Sequence, residues 1–168
     1  ELDNTLILFT SDNGPEGNTI NGPTGGVANH PPEVIAALGI DNSVANIGRG
    51  NSYVGYGPGW GQANSSPSSL VKGYTTEGGI RTVAFASGKG VAGARISKAL
   101  LHITDFAPTI TEEAGVVQPK EIAGHAVLPF QGKSLVPLLD GSAESVRTDA
   151  ETVSWELFYG RAIRRGDW

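Results

Sequence analysis

An acid and an amide stand side by side in the stretch NTLILFTSDNG, residues 4–14, where a run of apolar and β-branched residues stops at Ser11 and Asp12-Asn13-Gly14 follow. A carboxylate and an amide carbonyl are hard oxygen donors, matched to Ca2+ or Mg2+ rather than to softer metals. Two donors cannot hold a calcium ion, which takes about six to eight oxygens, so a metal site here needs further ligands from elsewhere. The competing reading is a plain turn, because Asn-Gly between strands is a strong hairpin signal. Two features weigh against the turn: the preceding run does not alternate, and no partner strand follows within PEGNTINGPTGG. Lys72, just before GYTTEGGIR, offers a compact positive charge; alone it reads as a solvated surface cation or as a contact for an anion. Glu77-Gly78-Gly79 supplies backbone amides unhindered by side chains, a weak anion-binding signal for which a simple turn is the better reading. His30, His102 and His125 lack metal-ligand spacing and read as loop or core residues, and Asp105 reads as a helix cap rather than a general base. There is no Gly-x-Ser-x-Gly elbow and no phosphate-binding glycine motif.

These residues need a scaffold, and the composition bounds it. A length of 168 residues suits one ordinary domain and not clearly two. The 24 glycines and 10 prolines imply much irregular backbone. A formal charge of −5 and the lack of a basic tract argue against nucleic acid and membrane surfaces as partners. The absence of cysteine excludes disulfides and thiolate metal sites. Because Glu1 lies on the approach to a strand and Trp168 reads as the middle of another, the chain is expected to be a piece of a longer protein.

Along the chain, the unbroken apolar run Thr5–Thr10 predicts a strand buried on both faces, as in a parallel sheet, with Asp12-Asn13 at its carboxyl end, where ligands gather in such sheets. Pro32–Leu38 predicts a short helix stopped by Gly39. Asn42–Ser69 reads as a long irregular loop carrying Tyr53, Tyr56 and Trp60, either packed on its own aromatics or forming a substrate-side wall. A second strand is expected over Thr82–Ala86 and a helix over TDFAPTITEEAG, capped by Thr104 or Asp105 and ended by Gly115. GKSLVPLLDG (132–141) reads as a short apolar segment closed by a turn, and Thr152–Trp168 as strand, turn around Tyr159-Gly160, strand. Alternating strands and helices followed by a hairpin predict an α/β fold with a small antiparallel appendage.

Taken in series, DNTLILFTSDNGPEG, NSYVGYGPGWGQANSSPSSLVKGYTTEGGIR, HITDFAPTITEEAGV and WELFYGRAIRRGDW resemble the C-terminal part of a type I sulfatase, closest to the bacterial arylsulfatase branch, over nearly the whole chain from Asp3 to Trp168. The resemblance implies an alkaline-phosphatase-like α/β fold, a mixed sheet flanked by helices. Residues 1–150 would be the C-terminal portion of the catalytic domain and 151–168 the first strands of a small antiparallel C-terminal subdomain. It implies that Asp12 and Asn13 bind a divalent cation, usually Ca2+ and less often Mg2+, and that Lys72 contacts a sulfate oxygen. Tyr56 and Trp60 stand near the substrate entrance in this reading. The implied partner is a small-molecule sulfate ester, with no nucleic acid and no membrane.

One departure is decisive for activity. The family's nucleophile is a formylglycine hydrate made from a Cys or Ser four residues before an Arg. Here the residues four before the seven arginines are Ala45, Glu77, Val91, Ala143, Leu157, Gly160 and Arg161. The expectation is therefore a parent that hydrolyses sulfate monoesters with an upstream formylglycine, and an isolated chain that hydrolyses nothing. The alternatives are a phosphate or phosphonate monoester hydrolase of the same superfamily and a non-catalytic relative that binds calcium or an anion.

Overall fold

The computed structural model describes residues 1–17, 32–55 and 57–168. Among the described residues the fold is mixed α/β, with three two-stranded antiparallel ribbons and short helices. The chain divides into two compact units: one made of residues 1–12, 83–153 and 163–168, the other of 13–82 and 154–162.

In the first unit, β1 (Leu6–Thr10) pairs antiparallel with β2 (Ala84–Gly88), in a register running from Leu6 opposite Gly88 to Thr10 opposite Ala84. The hairpin that Asn-Gly could have signalled does not form, because the partner strand arrives about 70 residues later along the chain. The expected parallel strand buried on both faces is also not what is found. Leu6, Leu8 and Thr10 are half-buried, whereas Ile7 and Phe9 alternate with them and are 44% and 50% exposed. The reason is that, among the described residues, β1 has one neighbouring strand; on its Ile7/Phe9 face Phe9 stacks on Phe85, ring centres 4.9 Å apart.

The rest of this unit is organised around a buried acid. A 3-10 turn (Ile103–Asp105) leads into α4 (Phe106–Glu113), and Gly115 at φ +65° closes that helix as the sequence predicts. Asp105 stands at the N-cap position of α4, one of the two places expected, but its side chain bonds no amide of that helix; His102 caps the 3-10 turn, its Nδ1 accepting the Thr104 N–H while the Asp105 carboxylate reaches back to the His102 N–H at 2.7 Å. Asp105 is fully buried and also accepts the Lys133 N–H at 2.9 Å and a two-pronged contact from Arg147 at 2.5 and 2.6 Å. Burial alone would push the Asp105 carboxyl up; the Arg147 guanidinium and the two backbone N–H groups outweigh it and hold the group below the ordinary carboxylate value. Thr109, equally buried, donates to the Asp105 carbonyl at 2.6 Å and accepts the Leu135 N–H at 2.8 Å, bringing the apolar turn α5 (Val136–Leu139), with Leu135 and Leu138 buried, onto α4. A small ribbon of β3 (Glu121–Ile122) and β4 (His125–Ala126) turns through Ala123-Gly124, both at left-handed φ.

In the second unit, α1 (Pro32–Ala37) ends at Gly39, φ +65°, whose N–H returns to Ala36, as expected. The segment read as a long irregular loop contains a 3-10 turn (Val44–Asn46) and a nine-residue helix, α2 (Gly57–Ser65). This glycine-rich helix lies close against neighbouring chain. A Cβ on Gly61 would stand 2.9 Å from the Gly17 Cα, and Gln62 bonds both the Ser68 carbonyl (2.8 Å) and the Leu70 N–H (2.9 Å). Tyr53 and Trp60 are 61% and 69% exposed, so the segment is not packed on those aromatics; Asn46 and Asn51 tie its first half together through their side-chain amides. Tyr56 lies outside the described residues, as does His30.

The last ribbon, β5 (Thr152–Leu157) with β6 (Gly160–Arg165), is the expected antiparallel appendage. Its turn is one residue earlier than predicted: Phe158 and Tyr159 form the two-residue connection, at φ +48° and +66°. A two-residue hairpin turn with both φ positive favours Asn-Gly; two aromatics there cost about 1–2 kcal/mol each. Neither regains that cost by burial, since they are 80% and 94% exposed. β6 ends at Arg165, and Gly166-Asp167-Trp168 form a turn rather than continuing the strand.

Candidate functional site

The loop after β1 and the segment 69–80 are joined by two backbone hydrogen bonds. Gly14 N–H donates to the Gly79 carbonyl at 2.8 Å, and Lys72 N–H donates to the Pro15 carbonyl at 3.0 Å. This approach is possible only because side chains are absent. A Cβ on Gly14 would fall 1.9 Å from the Gly78 carbonyl oxygen; one on Gly78 would fall 2.0 Å from that of Leu70, and one on Gly79 2.1 Å from that of Tyr74. The Asp-Asn-Gly and Glu-Gly-Gly motifs, read separately in the sequence, are thus two sides of one glycine contact.

Within it, α3 (Glu77–Ile80) is a single helical turn. Its amides are occupied by protein carbonyls: Gly78 N–H bonds Ser69 at 3.0 Å and Gly79 N–H bonds Thr76 at 2.9 Å. That agrees with the simple-turn reading of Glu77-Gly78-Gly79. Lys72, fixed at its backbone by Pro15, carries its ammonium 3.3 Å from the Glu16 carboxylate, with side chains 48% and 40% exposed. Glu16 is the site residue that sequence reasoning did not find. The signal available, an acid four residues after Asp12, has no meaning until residues 15 and 72 are paired across the loop.

Asp12 is exposed at the end of the first unit, and Asn13 begins the second. The Asn13 amide nitrogen, not its oxygen, bonds the Gly14 carbonyl at 2.9 Å. A carboxylate and an amide oxygen suit a hard cation in kind. They do not suffice in number: among the described residues no group of three or more His, Asp or Glu is clustered for a metal. Asp12 and Asn13 by themselves offer fewer oxygens than a hard cation takes. Of the histidines, His102 serves as a cap and His125 sits exposed in β4.

The sulfatase family model matches residues 1–116, a span that includes Asp12, Asn13 and Lys72. The whole chain aligns with an uncharacterized sulfatase of Schizosaccharomyces pombe, 39% identical over 177 aligned residues. An arylsulfatase of Klebsiella aerogenes is 34% identical over 148 residues, 87% of this chain. The chain spans 30% of the length of each of these relatives.

Proposed function

This chain belongs to the sulfatase family, and we propose that the full-length protein containing it hydrolyses sulfate monoesters, with Lys72 holding a sulfuryl oxygen and Asp12 and Asn13 giving two ligands to a calcium ion. In this reading the fold is the alkaline-phosphatase-like α/β architecture, residues 1–150 belonging to its catalytic domain and 151–168 opening a C-terminal subdomain. The 168 residues alone are inactive, because the formylglycine nucleophile belongs to an upstream part.

The observation that best supports this reading is the backbone pairing of Lys72 with Pro15, two residues after Asn13. It ties the backbone of Lys72 to the loop that carries Asn13, so the two residues stand on joined rather than unconnected segments. When bound, the divalent ion supplies positive charge at the sulfuryl oxygens and the formylglycine hydrate supplies the attacking oxygen. Lys72 has three N–H donors, so it can keep Glu16 and still donate to a sulfate oxygen as negative charge develops there. Glu16 pairs with the Lys72 ammonium at 3.3 Å. Asp12 offsets the charge of the cation, while Asn13 adds a neutral oxygen.

Calcium titration of the full-length protein, followed by thermal unfolding, checks the metal ligands. A bound ion at about 100 times its Kd adds about 2.7 kcal/mol of stability. The unaltered protein is expected to show a calcium-dependent rise in Tm, and Asp12→Ala to lose most of it. An equal rise in both proteins would remove Asp12 from the site.

A further inference from the structure

The turn between β5 and β6 breaks a local rule without an evident structural return. Phe158 and Tyr159 occupy two consecutive left-handed positions and leave most of their surface in solvent. Their location gives the departure a meaning. Residues 154–162 belong to the same compact unit as Lys72. Trp155 Nε1–H donates to the Thr75 carbonyl at 2.9 Å, and a Cβ on Gly160 would stand 3.3 Å from the Thr75 methyl, so the ribbon is seated on the loop that follows Lys72. At its tip the Phe158 ring edge lies 4.0 Å from where a Cβ on Gly73, the residue next to Lys72, would be. Gly73 itself has φ +95° and brings no side chain between the ring and the lysine's backbone. Tyr74, 52% exposed, adds a third aromatic to the same loop.

We infer that Phe158 and Tyr159 are specificity-determining residues: an aromatic wall beside Lys72 that receives the flat apolar alcohol portion of the ester while Lys72 holds its anionic end. This rests on the sulfate ester hydrolase reading above. An aromatic face stacks on a flat apolar group and offers little to a small hydroxylated one, so the wall discriminates between esters rather than accelerating all of them. The positions tolerate a strained turn because a turn-favouring pair such as Asn-Gly would carry no ring.

The test compares two sulfate esters in the full-length protein, 4-nitrophenyl sulfate and glucose 6-sulfate, for the unaltered protein and for Phe158→Asn combined with Tyr159→Gly. Asn-Gly suits the turn, so the variant is expected to fold with an unchanged or higher Tm. The kcat/KM for the aryl ester is expected to fall about tenfold relative to that for the sugar ester, mainly through KM. An unchanged ratio of the two values overturns the wall while leaving the hydrolase reading in place. Turnover of neither ester by the unaltered protein overturns both.

Discussion

Lys72→Ala in the full-length protein is expected to lower kcat/KM for a sulfate ester by about 10²–10³-fold, equivalent to about 2.7–4 kcal/mol of transition-state stabilisation. The loss is large because an ammonium aimed at a developing negative charge acts in a site from which substrate excludes water. The fold is expected to survive. The bond from residue 72 to Pro15 uses a backbone N–H that alanine keeps, and the exposed pair with Glu16 is worth at most about 1 kcal/mol. Lys72→Arg is expected to recover only part of the activity, since a planar fork does not occupy the place of a point charge. Steady-state kinetics beside thermal unfolding separate the two effects; a decrease of less than about threefold for Lys72→Ala, with the Tm unchanged, would exclude the sulfate contact.

The largest expected effect on stability comes from a residue remote from that chemistry. Arg147→Ala strips the guanidinium from Asp105, which is fully buried and shares its oxygens with only two backbone N–H groups thereafter. Breaking a buried pair by removing one partner costs about 3–5 kcal/mol, because an uncompensated charge stays behind. The urea midpoint of the full-length protein's first transition is expected to fall accordingly. A change below about 1 kcal/mol would mean that Asp105 is satisfied without Arg147.

The same pair sets an acid response. The Asp105 carboxyl is held below its ordinary value in the folded protein, so its contribution is complete above that ordinary value, about 4, and is lost as pH falls through the lowered one. Glu151, held by Lys133 and by the Thr148 N–H, is pushed down to about 2 and acts in the same direction over the interval from its ordinary value of 4.5. The unaltered protein is therefore expected to lose stability steeply below about pH 4.5, and Arg147→Ala to show a flatter decline there.

What the sequence revealed follows from what is local in it. β1, β2, α1, α4 and the C-terminal ribbon were legible because apolar runs, prolines at helix starts and glycines at helix ends act within a few residues. Strand pairing was not: Phe9 and Phe85 lie far apart in the chain, so neither the antiparallel register nor the exposure of Ile7 could be read from LILFT. Nor was α2 legible, since GPGWGQANS is rich in glycine and the bonds from Gln62 to Ser68 and Leu70 have no signature in the sequence. In the candidate site, Asp12, Asn13 and Lys72 came from residue chemistry and family resemblance. The glycine contact that joins their loops is a backbone event with no side-chain signature. Glu16 became visible only through it.

Sulfate ester cleavage by the intact protein is the activity proposed. The most direct measurement is kcat/KM for 4-nitrophenyl sulfate beside that for 4-nitrophenyl phosphate, with calcium present and the full-length protein purified. The two esters share one alcohol and differ at the atom attacked, so their ratio isolates the chemistry assigned to Lys72 and its cation. A ratio favouring sulfate by at least about tenfold is the expected result. Preference for the phosphate ester, or turnover of neither, would contradict it.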